Sequence, residues 1–217
     1  MARLAAVMQS GCAQAGWLAL CLLAGALTTV LAPAERTLGD GIRVVYWHVA
    51  CTWAGLTGFA LLAVLGLVVL LTGRPSWQTW AFAIGCVAAV CFGAGATLSA
   101  LAAWVNWGGV YWAEPRMRAN VIMLAGSVIV LTLATWPLPA RLKGALYLAP
   151  AALYGALISN TPLVMHPHDP IGLSSSAAIR LTFALLYGLC VGMAAGVVLI
   201  VHRRLVENTL PSEKRIT

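Results

Sequence analysis

Long uncharged apolar runs, separated by short polar connectors, dominate the chain. Between Val44 and Thr72, for example, there is no Asp, Glu, Lys or Arg. A membrane-spanning helix needs about 20 consecutive apolar residues, and the chain offers six runs of roughly that length. The pattern therefore predicts an all-α integral membrane protein, with spans at about residues 15–31, 44–72, 77–104, 120–136, 144–158 and 181–201.

Proline and charged residues mark the ends of these runs. Ala32-Pro33 is predicted to end the first span, because proline cannot continue the backbone hydrogen-bond ladder. Pro150 falls inside the fifth span, where we expect a kink. The basic run His202-Arg203-Arg204 is predicted to stop the sixth span, and residues 205–217 to form a flexible polar tail.

The composition also indicates an integral membrane protein. Of the 217 residues, 61% are hydrophobic and 9% are charged, whereas a soluble domain usually carries about 25% charged residues. One six-span domain accounts for the whole length and leaves no room for a separate soluble domain. The apolar run at the start is long enough to span, so we interpret it as the first helix rather than a signal peptide.

The distribution of basic residues predicts the orientation in the membrane. With the N-terminus inside, eight of the 13 Lys and Arg residues fall on the inner side, which agrees with the positive-inside rule. These eight are Arg3, Arg74, Arg141, Lys143, Arg203, Arg204, Lys214 and Arg215. The other five, on the outer side, are Arg36, Arg43, Arg116, Arg118 and Arg180. Both termini are therefore predicted to be cytoplasmic, and the net charge of +7 needs no nucleic-acid partner.

The six cysteines all lie in apolar runs and show no CxxC spacing. Such spacing would indicate a disulfide framework or a thiolate metal site. We therefore predict that the cysteines are small core residues.

The most distinctive polar connector is the segment from Trp104 to Arg118. It holds four aromatic rings, two glycines, one carboxylate and two guanidinium groups between apolar runs. Tryptophan and tyrosine favour the membrane–water boundary, so the segment is either an ordinary interfacial belt or a platform for a flat ligand. The predicted topology places it on the outer side with three histidines. They are His48, at the start of the second span, and His166 and His168, between the fifth and sixth.

This combination of residue types suits haem. Haem iron takes axial histidine, aromatic rings can stack on the macrocycle, and arginine pairs with carboxylates such as the propionates. Each piece alone has an ordinary explanation: an interfacial histidine, a membrane belt or a surface loop. A zinc site is also conceivable, but the histidines lack a regular ligand spacing such as HExxH.

At this point the chain resembles the haem exporter protein C (CcmC) family of cytochrome c biogenesis. The stretch Ile42–Val49, which contains Tyr46-Trp47-His48, resembles the family's Ile-Tyr-x-His-Val motif. Trp107-Gly108 followed by Glu114-Pro115-Arg116 resembles its WG-x-x-W-x-W-D-x-R/K segment, and His166-Pro167 resembles its later Leu-His pair.

This sequence departs from the family pattern at four positions. Tyr111 and Ala113 stand where tryptophans are expected, Glu114 replaces the aspartate, and Ala50 stands where proline is usual. The departures weaken the expectation of ring stacking more than they weaken the expectation of ligation and charge pairing.

The resemblance implies a non-enzymatic protein of the bacterial inner membrane that binds haem b at the outer, periplasmic face. It would pass haem, as a transported ligand, to a periplasmic haem chaperone. His48 and His166 would be axial ligands of the iron, with His168 as a substitute for the second. Trp107, Tyr111 and Trp112 would flank the porphyrin beside Glu114, and Arg116 or Arg43 would meet the propionates. The implied partners are a small single-span subunit and an ATP-binding-cassette transporter.

Two other classes of function stay open. A haem-bearing electron-transfer subunit usually places paired histidines inside the bundle, and here no histidine lies near the centre of a predicted span. A transporter or structural subunit could use the aromatic segment only as a contact surface. Against a transporter, no ionisable residue lies mid-membrane to mark an ion path.

Overall fold

The structure, a computed structural model, describes residues 11–162, 164 and 171–209. These residues form α-helices, and six helical segments are long and apolar enough to cross a membrane. The predicted all-α, six-span fold is thereby confirmed. The helices are α1 Gly11–Val30, α2 Ile42–Thr72, α3 Pro75–Trp107, α4 Pro115–Ala134, α5 Ala140–Leu146, α6 Ala149–Asn160 and α7 Ala177–Thr209.

Several helices are longer than the predicted spans. The largest difference is at α7, which was predicted to stop at residue 201 and continues to Thr209. Charged residues end an apolar span, but they do not end a helix. Arg203 and Glu207, one turn apart, even form an ion pair within α7, with Nε and Oε1 2.8 Å apart. Residues 210–217 of the predicted tail lie outside the described residues.

The fifth span consists of two helices. α5 ends at Leu146, and α6 begins at Ala149 with Pro150 in its first turn. Proline has no backbone N–H to donate, so it is tolerated at the start of a helix. The kink predicted at Pro150 is therefore a break at Tyr147–Leu148.

α2 and α3 form the antiparallel centre of the bundle and approach each other closely at glycines. A Cβ atom on Gly55 would lie 2.7 Å from the backbone nitrogen of Phe92. A Cβ on Gly58 would lie 2.6 Å from the Cβ of Ala88. Small residues of this kind allow helices to pack tightly in a membrane, where no hydrophobic force drives them together.

The other helices cover the two sides of this pair. α4, α5 and α6 pack around one core cluster, which includes Phe59, Phe92 and Tyr147. α7 packs on α2 through a second cluster, which includes Tyr46 and Leu186. The first cluster uses the C-terminal half of α2 and the second its N-terminal half, so the two cores are offset along the bundle.

Two tryptophans attach α1 to the rest. The Trp17 indole Nε1 donates to the carbonyl oxygen of Gly192 on α7, at 3.1 Å. The Trp47 indole Nε1 donates to the Thr29 hydroxyl on α1, at 2.7 Å. Trp47, although part of the motif around His48, therefore serves helix packing.

The chain direction places the starts of α2 and α4 and the end of α3 at one end of the bundle. We call this the aromatic end and define it by Trp104, Trp107, Tyr111 and Trp112. If all six helical segments cross the membrane, the start of α1 and the end of α7 lie on the same side. That this side is cytoplasmic stays a prediction.

Candidate functional site

His48 lies within α2, nearly two helical turns beyond Ile42, and is half-buried. This is about half a turn deeper than predicted, because α2 begins two residues before the predicted span. Its Nδ1 atom lies 2.8 Å from the carbonyl oxygen of Gly95 on α3. A carbonyl oxygen can only accept, so Nδ1 donates and carries the proton. In the neutral ring the lone pair is then on Nε2, which is the arrangement found in metal-bound histidines.

Gly95 makes this contact possible. A Cβ atom there would lie 2.7 Å from the backbone nitrogen and 2.9 Å from the Cα of Thr52. The missing side chain therefore lets the α3 backbone lie directly against α2, within reach of the imidazole. Within α2, the Thr52 hydroxyl donates to the carbonyl of His48 at 2.8 Å.

The two ends of the aromatic segment are helical, so the loop between α3 and α4 is limited to residues 108–114. Trp104 and Trp107 occupy the last turn of α3, which Gly108 ends in the left-handed conformation with φ 73°. The N–H of Gly108 donates to the carbonyl of Trp104 at 2.9 Å. Trp107, Tyr111 and Trp112 are each at least 50% exposed, so the three predicted stacking residues present accessible rings at this end of the bundle.

The end of α3 is tied to the start of α2. The Asn106 side-chain Nδ2 donates to the carbonyl of Gly41 at 3.3 Å and to that of Ala102 at 2.9 Å. Gly41 directly precedes α2, whose first turn holds Arg43. The aromatic rings and Arg43 are thus brought to the same end of the bundle, as predicted from the order of spans.

Glu114 is the N-cap of α4. It is 6% exposed, and its Oε2 accepts the backbone N–H of Met117 at 2.7 Å. Pro115 follows as the first residue of the helix. The carboxylate thus has a structural role that positions the first turn of α4, and with it Arg116. A contact between Glu114 and haem stays a prediction.

Arg43 and Arg116 occupy equivalent places, each the second residue of its helix. In both, the guanidine Nε is buried and has no hydrogen-bond partner among the described residues. Arg43 also pairs with Asp40, with Nη2 and Oδ1 3.1 Å apart. A helix N-terminus carries partial positive charge, so an anion bound there is favoured by both the guanidinium and the helix.

The connector before α2 is shaped by a carboxylate. The backbone N–H groups of Leu38 and Thr37 donate to Oε2 of Glu35 at 2.8 Å and 2.7 Å. These hydrogen bonds stabilise the charged form and hold the pKa of Glu35 below its ordinary value. The Glu35 carboxylate is therefore engaged by the backbone of its own turn.

The second predicted iron ligand is not placed. His166 and His168 lie outside the described residues, so both assignments stay predictions. Within the ranges that are described, no group of three or more His, Cys, Asp or Glu side chains is arranged to hold a metal ion.

Two features at the other half of the bundle were not predicted. An apolar cavity of about 280 Å³ opens between α2, α3 and α7, with Gly58, Ala88 and Val191 among its walls. At its far end, the His202 ring stacks on Trp80, with centroids 3.6 Å apart and planes 14° apart. The sequence signal was an aromatic residue, Trp80, just inside the start of the third predicted span, and His202 directly after the end of the sixth. The cavity contains none of the predicted site residues.

In comparisons with known proteins, no family model and no curated protein matches the chain. The resemblance to the haem exporter protein C family therefore stays a prediction. What the structure establishes is a multi-pass, all-helical membrane protein.

Proposed function

We propose that the chain binds haem b at its aromatic end and passes it to a haem chaperone outside the membrane. The observation that carries this proposal is the hydrogen bond from His48 Nδ1 to the Gly95 carbonyl. It holds the imidazole in one orientation and one tautomer, with the lone pair on Nε2. Haem iron takes an axial imidazole through that lone pair.

The exposed rings support binding of a flat, amphipathic ligand. Trp107, Tyr111 and Trp112 are half-exposed or more, and Gly108 and Gly109 between them carry no side chains that would obstruct a macrocycle. Such rings stack on aromatic surfaces and keep an N–H or O–H in contact with water. We assign them to the two faces and the edge of the porphyrin.

The arginines support binding of its two carboxylates. Arg116 and Arg43 each have a buried Nε without a partner among the described residues. Leaving such a donor unsatisfied costs free energy, which a propionate would recover. A guanidinium binds a carboxylate through two parallel hydrogen bonds, and the two helix N-termini add favourable charge.

The second axial ligand is proposed to be His166, with His168 as its substitute. Both belong to the connector between α6 and α7, which reaches α7 at the aromatic end. Ile171, just after the two histidines, packs in the same cluster as Ile42 and Tyr46 on the first turns of α2. Ile171 therefore lies beside the helix that carries His48.

The exposure of the site suits handover better than permanent storage. Rings that are half-exposed leave an edge of the bound macrocycle accessible from outside the membrane. The chain's own residues would then bind, orient and release haem without making or breaking a covalent bond. A periplasmic chaperone, a small single-span subunit and an ATP-binding-cassette transporter are the partners that the family resemblance implies, in the bacterial inner membrane.

An absorbance spectrum tests the proposal. The full chain is expressed in haem-replete cells, purified in detergent and compared with the same protein from haem-deficient cells after addition of haem. We expect a Soret band in both samples, and transfer of that band to an added haem chaperone. The absence of any Soret band would contradict the proposal. Tight, stoichiometric haem that never transfers would favour an electron-transfer subunit instead.

A further inference from the structure

Three cysteine side chains from three helices converge one layer below His48. Cys51 on α2, Cys91 on α3 and Cys190 on α7 all belong to the second core cluster. Along α2, Cys51 is about one turn beyond His48; along α3, Cys91 is about one turn before Gly95, the hydrogen-bond partner of His48. The thiols therefore form the next layer of the bundle toward its centre.

Two of these sulphurs are in contact. The Sγ atoms of Cys51 and Cys190 lie 3.9 Å apart although their residues are 139 positions apart in the chain. A disulfide has a sulphur–sulphur distance of about 2.05 Å, so the two atoms must approach each other further for a bond to form. Cys190 is 4% exposed. Only reagents that dissolve in the membrane are therefore expected to reach its thiol.

We propose that Cys51 and Cys190 are a redox site whose reversible disulfide cross-links α2 to α7. Each thiol loses its hydrogen and one S–S bond forms. The two electrons and two protons pass to a lipid-soluble quinone, which becomes a hydroquinone. The inference is independent of haem binding.

The position of the pair gives the cross-link a structural consequence. The pair lies beside the cavity of about 280 Å³ between α2, α3 and α7, whose lining residues include Ala54, Cys91 and Val191. The disulfide would fix α7 to α2 next to this cavity. Oxidation would therefore limit how far α7 can move away from the central pair.

Mass spectrometry of the oxidised protein tests the proposal. The full chain in proteoliposomes is treated with a benzoquinone that carries a substituent on every ring carbon, so that thiols cannot add to the ring. We expect the intact mass to fall by two hydrogen atoms, one hydroquinone to form per chain, and a dithiol to reverse the change. A non-reducing digest should link the Cys51 and Cys190 peptides. No linked peptide, or one that joins Cys91 to either, would overturn the proposal.

Matched variants locate the pair. Cys51→Ser and Cys190→Ala should each abolish the mass loss, whereas Cys86→Ser, on the face of α3 toward the other core, should leave it unchanged. The wild-type peptide map decides the question even if one variant fails to fold. Persistence of the mass loss in folded Cys51→Ser protein would overturn the proposal.

Discussion

At the scale of single residues, the aromatic end is held together by side chains that bond to the backbone. His48 donates to the Gly95 carbonyl, Asn106 donates to the Gly41 carbonyl, and Glu114 accepts the N–H of Met117. Backbone partners are part of the helices and do not change rotamer. The proposed site would therefore be preorganised before a ligand arrives.

Sequence patterns could identify these residues but not their partners. His48, Arg43 and Arg116 stand out because ionisable residues are rare in apolar runs. The partner of His48 is a backbone carbonyl, which every residue possesses, so no residue type in α3 signals the contact. Sequence could have assigned Glu114 its capping role, since an acidic residue directly before Pro115 is typical of a helix start.

We predict that Arg116→Lys weakens haem binding about tenfold, because lysine cannot form the two parallel hydrogen bonds of a guanidinium. Titration of the purified apo-protein with haem measures the effect. Arg204→Lys, an exposed arginine on α7, should bind haem as the wild type does. Equal affinities for both variants would remove Arg116 from the proposed site.

Loss of the α4 cap should reduce stability. Glu114→Ala is expected to lower the free energy of unfolding by about 1 kcal/mol, since the N–H of Met117 loses its acceptor. Thermal unfolding in detergent measures this. Glu207→Ala removes a partly exposed carboxylate from α7 and serves as the control, with an expected change within about 0.5 kcal/mol. A Glu114 variant as stable as the control would show that the cap contributes little.

At the scale of helices, the close approach of α2 and α3 is what brings His48 to its partner. Gly95→Ala would push a methyl group into the Thr52 backbone, so the two helices must separate. We expect a loss of about 1–3 kcal/mol in stability and weaker haem binding, as His48 loses its support. The stability is measured by thermal unfolding and the binding by haem titration.

Gly93→Ala is the matched control on the same helix. A Cβ there would meet only the side chain of Leu124, at 3.5 Å, which is ordinary contact. It should fold and bind haem as the wild type does. If Gly95→Ala behaved in the same way, the tight α2–α3 contact would not be required for the site.

The helices could be predicted from the apolar runs, whereas the residues at which they end could not. α7 continues past His202 to Thr209 because charge ends the apolar span and leaves the backbone hydrogen bonds intact. Gly108, directly after Trp107, could have marked the end of α3, since glycine commonly adopts the left-handed conformation there. The Cys51–Cys190 contact had no sequence signal, because both cysteines lie in uncharged apolar runs that do not show which helices are neighbours.

At the scale of the whole molecule, six helical segments that all cross the membrane would place the start of α1 and the end of α7 on one side. The excess of basic residues predicts that this side is cytoplasmic. A reporter that is active only in the cytoplasm, fused after Thr217, should therefore be active. An active periplasmic reporter at the same position would invert the topology and place the aromatic end in the cytoplasm.

The grouping of His48, Arg43, Arg116 and the aromatic rings at one end could be predicted from the number and order of the spans alone. Their mutual geometry could not, because it depends on glycine contacts between α2 and α3 that no hydrophobic pattern encodes. The same holds for the cavity beside α7, whose lining residues are apolar and look like any lipid-facing surface.

The most direct test of the account compares the haem content of two histidine variants by absorbance spectroscopy. His48 and His202 both lie within helices, at opposite ends of the bundle. We predict that His48→Ala lowers haem content at least about tenfold, or changes the spectrum of what remains, because the iron loses an axial ligand. His202→Ala should keep the wild-type content and spectrum. A His48→Ala protein with wild-type haem content and an unchanged spectrum would contradict the proposed site.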